Sequence, residues 1–109
     1  MQLEISYPHD TLNQYEIDKL KKQLLFLHNY DKEISKAEII LKKLNHAEII
    51  SYLCEIIISI YGNNFSYNKE GDSYEEAIRY ALHATEGKID ELIKYKNDLP
   101  EEYVSTVKV

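Results

Sequence analysis

The stretch Glu70-Gly71-Asp72-Ser73-Tyr74-Glu75-Glu76-Ala77-Ile78 decides the fold, because a strand stops and a long helix starts within it. Ser73 and Glu76 stand three apart, the spacing of a capping box, in which each side chain accepts a backbone N–H left open at a helix start. Tyr74, Ala77, Ile78, Ala81, Leu82, Ile89 and Leu92 then recur at helical spacing and predict one apolar stripe. Glu75 and Glu76 suit the positive end of the helix dipole, so these adjacent acids need no acid–base chemistry to explain them. Gly87 interrupts the stripe. A glycine inside a helix costs about 1 kcal/mol relative to alanine, which predicts a weak point or kink between Thr85 and Lys88. Asn97-Asp98-Leu99-Pro100 closes the helix.

Strand patterns lie upstream. Leu3, Ile5 and Tyr7 alternate with Gln2, Glu4 and Ser6, which predicts a half-buried strand over Met1 to Tyr7, closed by Pro8. Asp10 or Thr11 can cap the next helix, and Thr11 with Gln14 fits a capping box. Ile17, Leu20, Leu24 and Leu27 then predict a helix over residues 12–30. A strand over 36–44 places Ala37, Ile39 and Leu41 on one face and Glu38, Ile40 and Lys42 on the other. A third strand over about 52–61 buries Cys54, Ile56, Ile58 and Ile60 and leaves Leu53, Glu55, Ile57 and Ser59 outward. Tyr61-Gly62-Asn63-Asn64 is hairpin-turn chemistry, because Gly and Asn tolerate positive φ. Phe65 and Tyr67 continue inward on a fourth strand. The string Ala37-Glu38-Ile39-Ile40 recurs as Ala47-Glu48-Ile49-Ile50, read as an extension of the hairpin, either a longer strand or a protruding loop.

The order is therefore β-α-β-β-β-α, an α+β fold. Each helix has one stripe to bury, and one face of a four-stranded sheet can cover both. The other face is left to solvent, with Ile40, Leu53 and Ile57 on it. Residues 1–98 form a single domain in this reading and 99–109 a tail. Alternation of Val104, Thr106 and Lys108 permits a terminal strand there.

Charge bears on partners. Lys plus Arg is 13 and Asp plus Glu 19, a formal net of −6. Residues 1–43 are balanced, and residues 44–109 carry the whole excess. Proteins that hold nucleic acid present a basic face, because neutralising phosphates releases counterions. Cys54 is the only cysteine, so no internal disulfide forms, and a reducing cytoplasm is the simplest compartment. No apolar run is long enough to span a membrane. His9, His28, His46 and His83 are scattered without zinc-ligand spacing, and Gly62, Gly71 and Gly87 make no phosphate loop. No metal, cofactor or catalytic constellation is expected. Cys54 reads as a small core residue. Ten tyrosines stand out. Tyr15, Tyr52, Tyr80 and Tyr95, with Phe26, fit the buried stripes poorly, and tyrosine is favoured at protein interfaces.

The joint order of these segments resembles the ribosome hibernation-promoting factor family, also called the sigma-54 modulation or ribosome-associated inhibitor family. Met1-Gln2-Leu3-Glu4-Ile5 is similar to its opening strand. Leu27, Tyr30 and Ile34 match the end of its first helix, Ile39-Ile40-Leu41-Lys42 its second strand, and Gly62 to Ile78 its turn, fourth strand and helix start. Extra residues fall only around Leu44 to Ser51. The resemblance implies a short, single-domain, cytoplasmic factor that occupies the small-subunit decoding channel and inhibits translation in idle ribosomes, by steric occupancy and without catalysis. The implied partner is ribosomal RNA. Family basic positions fall here on Gln23, Phe26, Asn29, Ala84, Gly87 and Glu91. Among the remaining residues, Lys19, Lys22, Arg79 and Lys88 are the expected phosphate contacts and Tyr80 a stacking residue. The alternative is a divergent member of the fold that lost RNA binding and engages a protein through its Tyr-rich or exposed sheet surface.

Overall fold

The computed structural model describes residues 1–8 and 12–98. Strand β1 spans Gln2–Ser6, helix α1 Gln14–Leu24, and a 3-10 helix Leu25–Tyr30. Strands β2 (Ile34–His46), β3 (Ile49–Ile60) and β4 (Asn63–Gly71) come next, then helix α2 (Tyr74–Asp98). The sheet order is β1-β2-β3-β4, with β1 parallel to β2 and the other neighbours antiparallel. The β-α-β-β-β-α reading holds. The expected tail at 99–109, and Asp10 and Thr11 with their capping box, lie outside the described residues.

Alternation decides the core. Ala37, Ile39 and Leu41 of β2 and Cys54, Ile56, Ile58 and Ile60 of β3 are buried on the face that carries the helices. Leu20 and Leu24 of α1, Leu27, and Ala77, Ile78, Ala81, Leu82 and Ile89 of α2 pack onto them. Leu3, Ile5 and Phe65 close the two margins. Cutting one of the buried isoleucines to alanine is expected to cost about 2–5 kcal/mol. Ile34 and Ala37 are both buried although three apart, which strict alternation forbids. A shift in the β2–β3 register between Ile34 and Lys36 reconciles them. Ser35, at that bulge, donates to the Ser59 carbonyl at 3.1 Å.

Local chemistry corrects several boundaries. The first helix is capped by Asn13, whose side chain accepts the Glu16 N–H at 2.9 Å. Its α-helical part ends at Leu24, and residues to Tyr30 tighten into 3-10 geometry instead of continuing as α-helix. At α2 the Ser73 hydroxyl accepts the Glu76 N–H at 3.1 Å, and the Glu76 carboxylate reaches back to the Asp72 N–H at 3.1 Å. The α-helix runs unbroken through Gly87, so the expected weak point does not interrupt it. The neighbouring stripe position, Thr85, is fully buried. At the β3–β4 turn positive φ falls on Gly62, as its chemistry suggests, and on Tyr61 instead of an asparagine.

The second Ala-Glu-Ile-Ile copy is an extended hairpin. Ala47 and Glu48 form its turn, with Ala47 at φ 56°. β1 pairs β2 only over Lys36–Ile40, and β4 pairs β3 only from Tyr52 onward. Residues 42–51 therefore project as a two-stranded ribbon beyond both flanking strands.

Candidate functional site

The helix layer carries Lys19, Lys21 and Lys22 on α1 and Arg79, Lys88, Lys94 and Lys96 on α2. α1 and the 3-10 helix lie beside α2, joined to it where Gln23 Nε2 donates to the Glu75 carbonyl at 2.9 Å and where the Tyr30 hydroxyl donates to Asp90 Oδ1 at 3.0 Å. Between them runs a shallow groove of about 300 Å³ lined by Gln23, Phe26, Arg79, Leu82, His83 and Glu86. On the other side of α2, toward β4, a second groove of about 540 Å³ is lined by Lys69, Arg79, Tyr80, His83 and Ala84. Arg79 and His83 belong to both, because they form the ridge between them. The Arg79 guanidinium sits 5.4 Å from the centre of the Tyr80 ring, within cation–π range. That pairing presents a planar cation beside an exposed ring. Phosphate recognition with base stacking uses such a combination.

The five expected residues do not form one site. Lys19 is tied to the first turn of α2, with its ammonium 3.1 Å from Glu75 Oε2. The hydrogen bond and charge of Glu75 raise its pKa and hold it charged. Lys22, exposed, precedes Gln23 on α1 and has no ion pair among the described residues. Lys88 is half-buried, and its ammonium lies 3.6 Å from Glu91 Oε1. Arg79 and Lys88 are nine residues apart, about two and a half helical turns, so they face opposite sides of α2. Lys22, Arg79 and Tyr80 remain as groups not bound to an acid, whereas Lys19 and Lys88 are partly neutralised.

Lys69 and His83 were absent from the sequence-based set. Lys69 shares the helix-side parity of Phe65 and Tyr67 on β4, and its register partner is the buried Cys54. A lysine at an inward strand position was the available signal. Several positions expected to differ from the family are used for packing. Gln23 ties the helices together, and Phe26 stacks edge-on against Tyr30 with centroids 5.9 Å apart. Tyr52, expected at the surface, is half-buried against Tyr74 at 4.7 Å. Tyr15, Tyr80 and Tyr95 are exposed.

Two other features offer no better chemistry. A depression of about 300 Å³ near the start of α2 combines Lys19 and Lys43 with Glu16, Asp72 and Glu75, so acids outnumber cations there. Burial, with Glu55 beside it, pushes the Cys54 thiol up to about 12, so it is not a nucleophile at neutral pH. Among the described residues no three His, Cys, Asp or Glu side chains gather as a metal site.

The fold has solved counterparts. It superimposes on a ribosomal subunit interface protein from Coxiella burnetii with a TM-score of 0.65, at 18% identity, over 90% of this chain and 100% of that one. It also matches the N-terminal domain of Protein Y from Thermus thermophilus with a TM-score of 0.63, at 19% identity, over 84% of this chain and 99% of that one. The chain thus has the fold of these proteins, as the resemblance implied. No protein-family model matches the sequence, and no curated protein does.

Proposed function

We propose that this chain is a ribosome-associated factor that occupies the decoding channel of the small subunit and silences idle ribosomes. The observation that carries the reading is the fold match to a ribosomal subunit interface protein over 90% of this chain. The Arg79–Tyr80 pair and the unpaired Lys22 on the helix layer supply chemistry suited to it. Occupancy needs shape and phosphate contacts and no bond-making step. Lys22, Arg79 and Lys69 contact phosphates, Tyr80 stacks on a base, and Lys19 and Lys88 contribute less because acids hold them. The net charge of −6 confines phosphate binding to these local cations, and their contacts make the binding dependent on salt.

A competition assay tests the channel itself. Labelled initiator tRNA bound to small subunits with a short messenger is titrated with the protein. Release that saturates at one protein per subunit supports the reading. Protein and tRNA bound together on the same subunit contradict it.

A second reading has its own observation. Two of the five expected RNA-contact residues are paired with acids, while Tyr15 and Tyr95 stand exposed on the helices. On that reading the fold serves as a protein-interaction module, and its binding is insensitive to salt.

A further inference from the structure

On the face of the sheet away from the helices, the β2–β3 hairpin from Glu38 to Ile57 carries a pattern with its own two-fold symmetry. Along the β2–β3 hairpin, outward residues pair as Glu38 with Ile57, Ile40 with Glu55, Lys42 with Leu53, Leu44 with Ser51, and His46 with Ile49. Every pair joins one apolar and one polar side chain, and the apolar member switches strand along the ribbon. Ile57, Ile40, Leu53, Leu44 and Ile49 therefore make a zigzag ladder, about 27 Å long at the rise of a strand. Ile40, Leu44, Leu53 and Ile57 are half-buried and Ile49 is exposed. Among the described residues no element covers them.

We infer that this ladder is the contact surface for a second copy of the chain, packed sheet against sheet about a two-fold axis that crosses the strands at the Lys42–Leu53 pair. That axis sets Leu53 on Leu53 of the second copy, Ile40 on Leu44, and Ile57 on Ile49. The same operation sets Glu38, whose carboxylate lies 3.0 Å from the Lys36 ammonium of its own copy, on His46. Lys42, and Glu70 as the β4 register partner of Leu53, each lie level with the axis beside their own mate. The long side chain of Lys42 reaches toward Glu55 of the other copy, and Glu55 has no ion pair among the described residues. An isologous contact requires a surface complementary to itself, and an arbitrary apolar patch meets that condition poorly. Sheets packed this way cross at about 30°, which a narrow ribbon tolerates. Ten outward side chains per copy is about half or less of the roughly 20–30 residues a side of a standard interface. The dimer is therefore weak and reversible, with a dissociation constant on the order of 10–100 µM. The helix layer stays free in it, so the contact stands or falls separately from ribosome binding.

Sedimentation equilibrium from about 5 to 500 µM tests this, with circular dichroism to verify folding. The native chain is expected to shift from monomer to dimer across that range. Leu53→Asp and Leu53→Lys are each expected to be monomeric, and their equimolar mixture is expected to dimerise, because the axis sets the two positions against each other. Ile49→Lys, at an exposed site with little cost to folding, is expected to weaken the dimer about tenfold or more. A native chain that stays monomeric at 500 µM overturns the inference and leaves the ladder to a different protein. A dimer that survives both Leu53 substitutions, or a mixture that fails to pair, also overturns it.

Discussion

The Tyr30 hydroxyl donates to Asp90 Oδ1 at 3.0 Å, across sixty residues of sequence, and ties the end of the 3-10 helix to the second half of α2. Burial raises the Tyr30 pKa to about 12, aided by the hydrogen bond to Asp90 and the charges of Asp90, Glu86 and Glu33. A tyrosine with a raised native pKa binds its proton more tightly when folded. Its contribution is complete below the unfolded value near 10 and is lost as pH climbs through 12. Stability is thus expected to fall between pH 10 and 12. Tyr30→Phe is expected to flatten that fall and to cost about 1 kcal/mol at pH 8. Urea unfolding at several pH values checks both.

Two glycines of similar sequence appearance are expected to respond with opposite signs. A Cβ on Gly71 would meet the Ala77 backbone nitrogen at 2.8 Å, and backbone cannot swing aside. Gly71→Ala is expected to destabilise by about 1–3 kcal/mol, a cost typical of overpacking. A Cβ on Gly87 meets nothing within 4 Å. Gly87→Ala removes the penalty of a glycine inside a helix and is expected to stabilise by about 0.5–1 kcal/mol. Denaturant midpoints of the two variants decide the matter.

Thr85 is fully buried on α2, and its hydroxyl finds no partner among the described residues. A buried hydroxyl without a hydrogen bond costs about 1–3 kcal/mol. Thr85→Val keeps the branched shape and removes the unmet group, so a gain of about 1 kcal/mol is expected in the same unfolding assay. A loss of stability would indicate that the hydroxyl is satisfied in solution.

Features set by local interactions could be read from the chain, and features set by distant ones could not. The inward residues of β2 and β3 were readable because alternation is local and both strands bury one face. The α2 start was readable because Ser73 and Glu76 form a local box. The bulge at Ile34–Lys36 was not, since it depends on register with β3. The switch to 3-10 geometry at Leu25 was hidden for a related reason. Leu24 and Leu27 are both fully buried and sit at a spacing that either helix type provides. At the candidate site, single residues could be proposed from composition. Which lysines remain free depends on acids brought from elsewhere, as Glu75 is to Lys19 across the two helices. The groove that adds Lys69 to Arg79 and Tyr80 joins a strand and a helix and has no signature within either.

If the helix layer binds the small ribosomal subunit through phosphate contacts, binding must respond to salt and to the loss of single cations. Co-sedimentation of the full chain with purified small subunits on sucrose gradients, at about 50 and 200 mM salt, measures both. Co-migration is expected at low salt and weakens at high salt, with Lys22→Glu and Arg79→Glu each reducing binding and lowering the salt slope by about one unit. Protein that stays at the top of the gradient at both salt concentrations, or that co-migrates regardless of salt and of both substitutions, contradicts phosphate-driven binding by the helix layer.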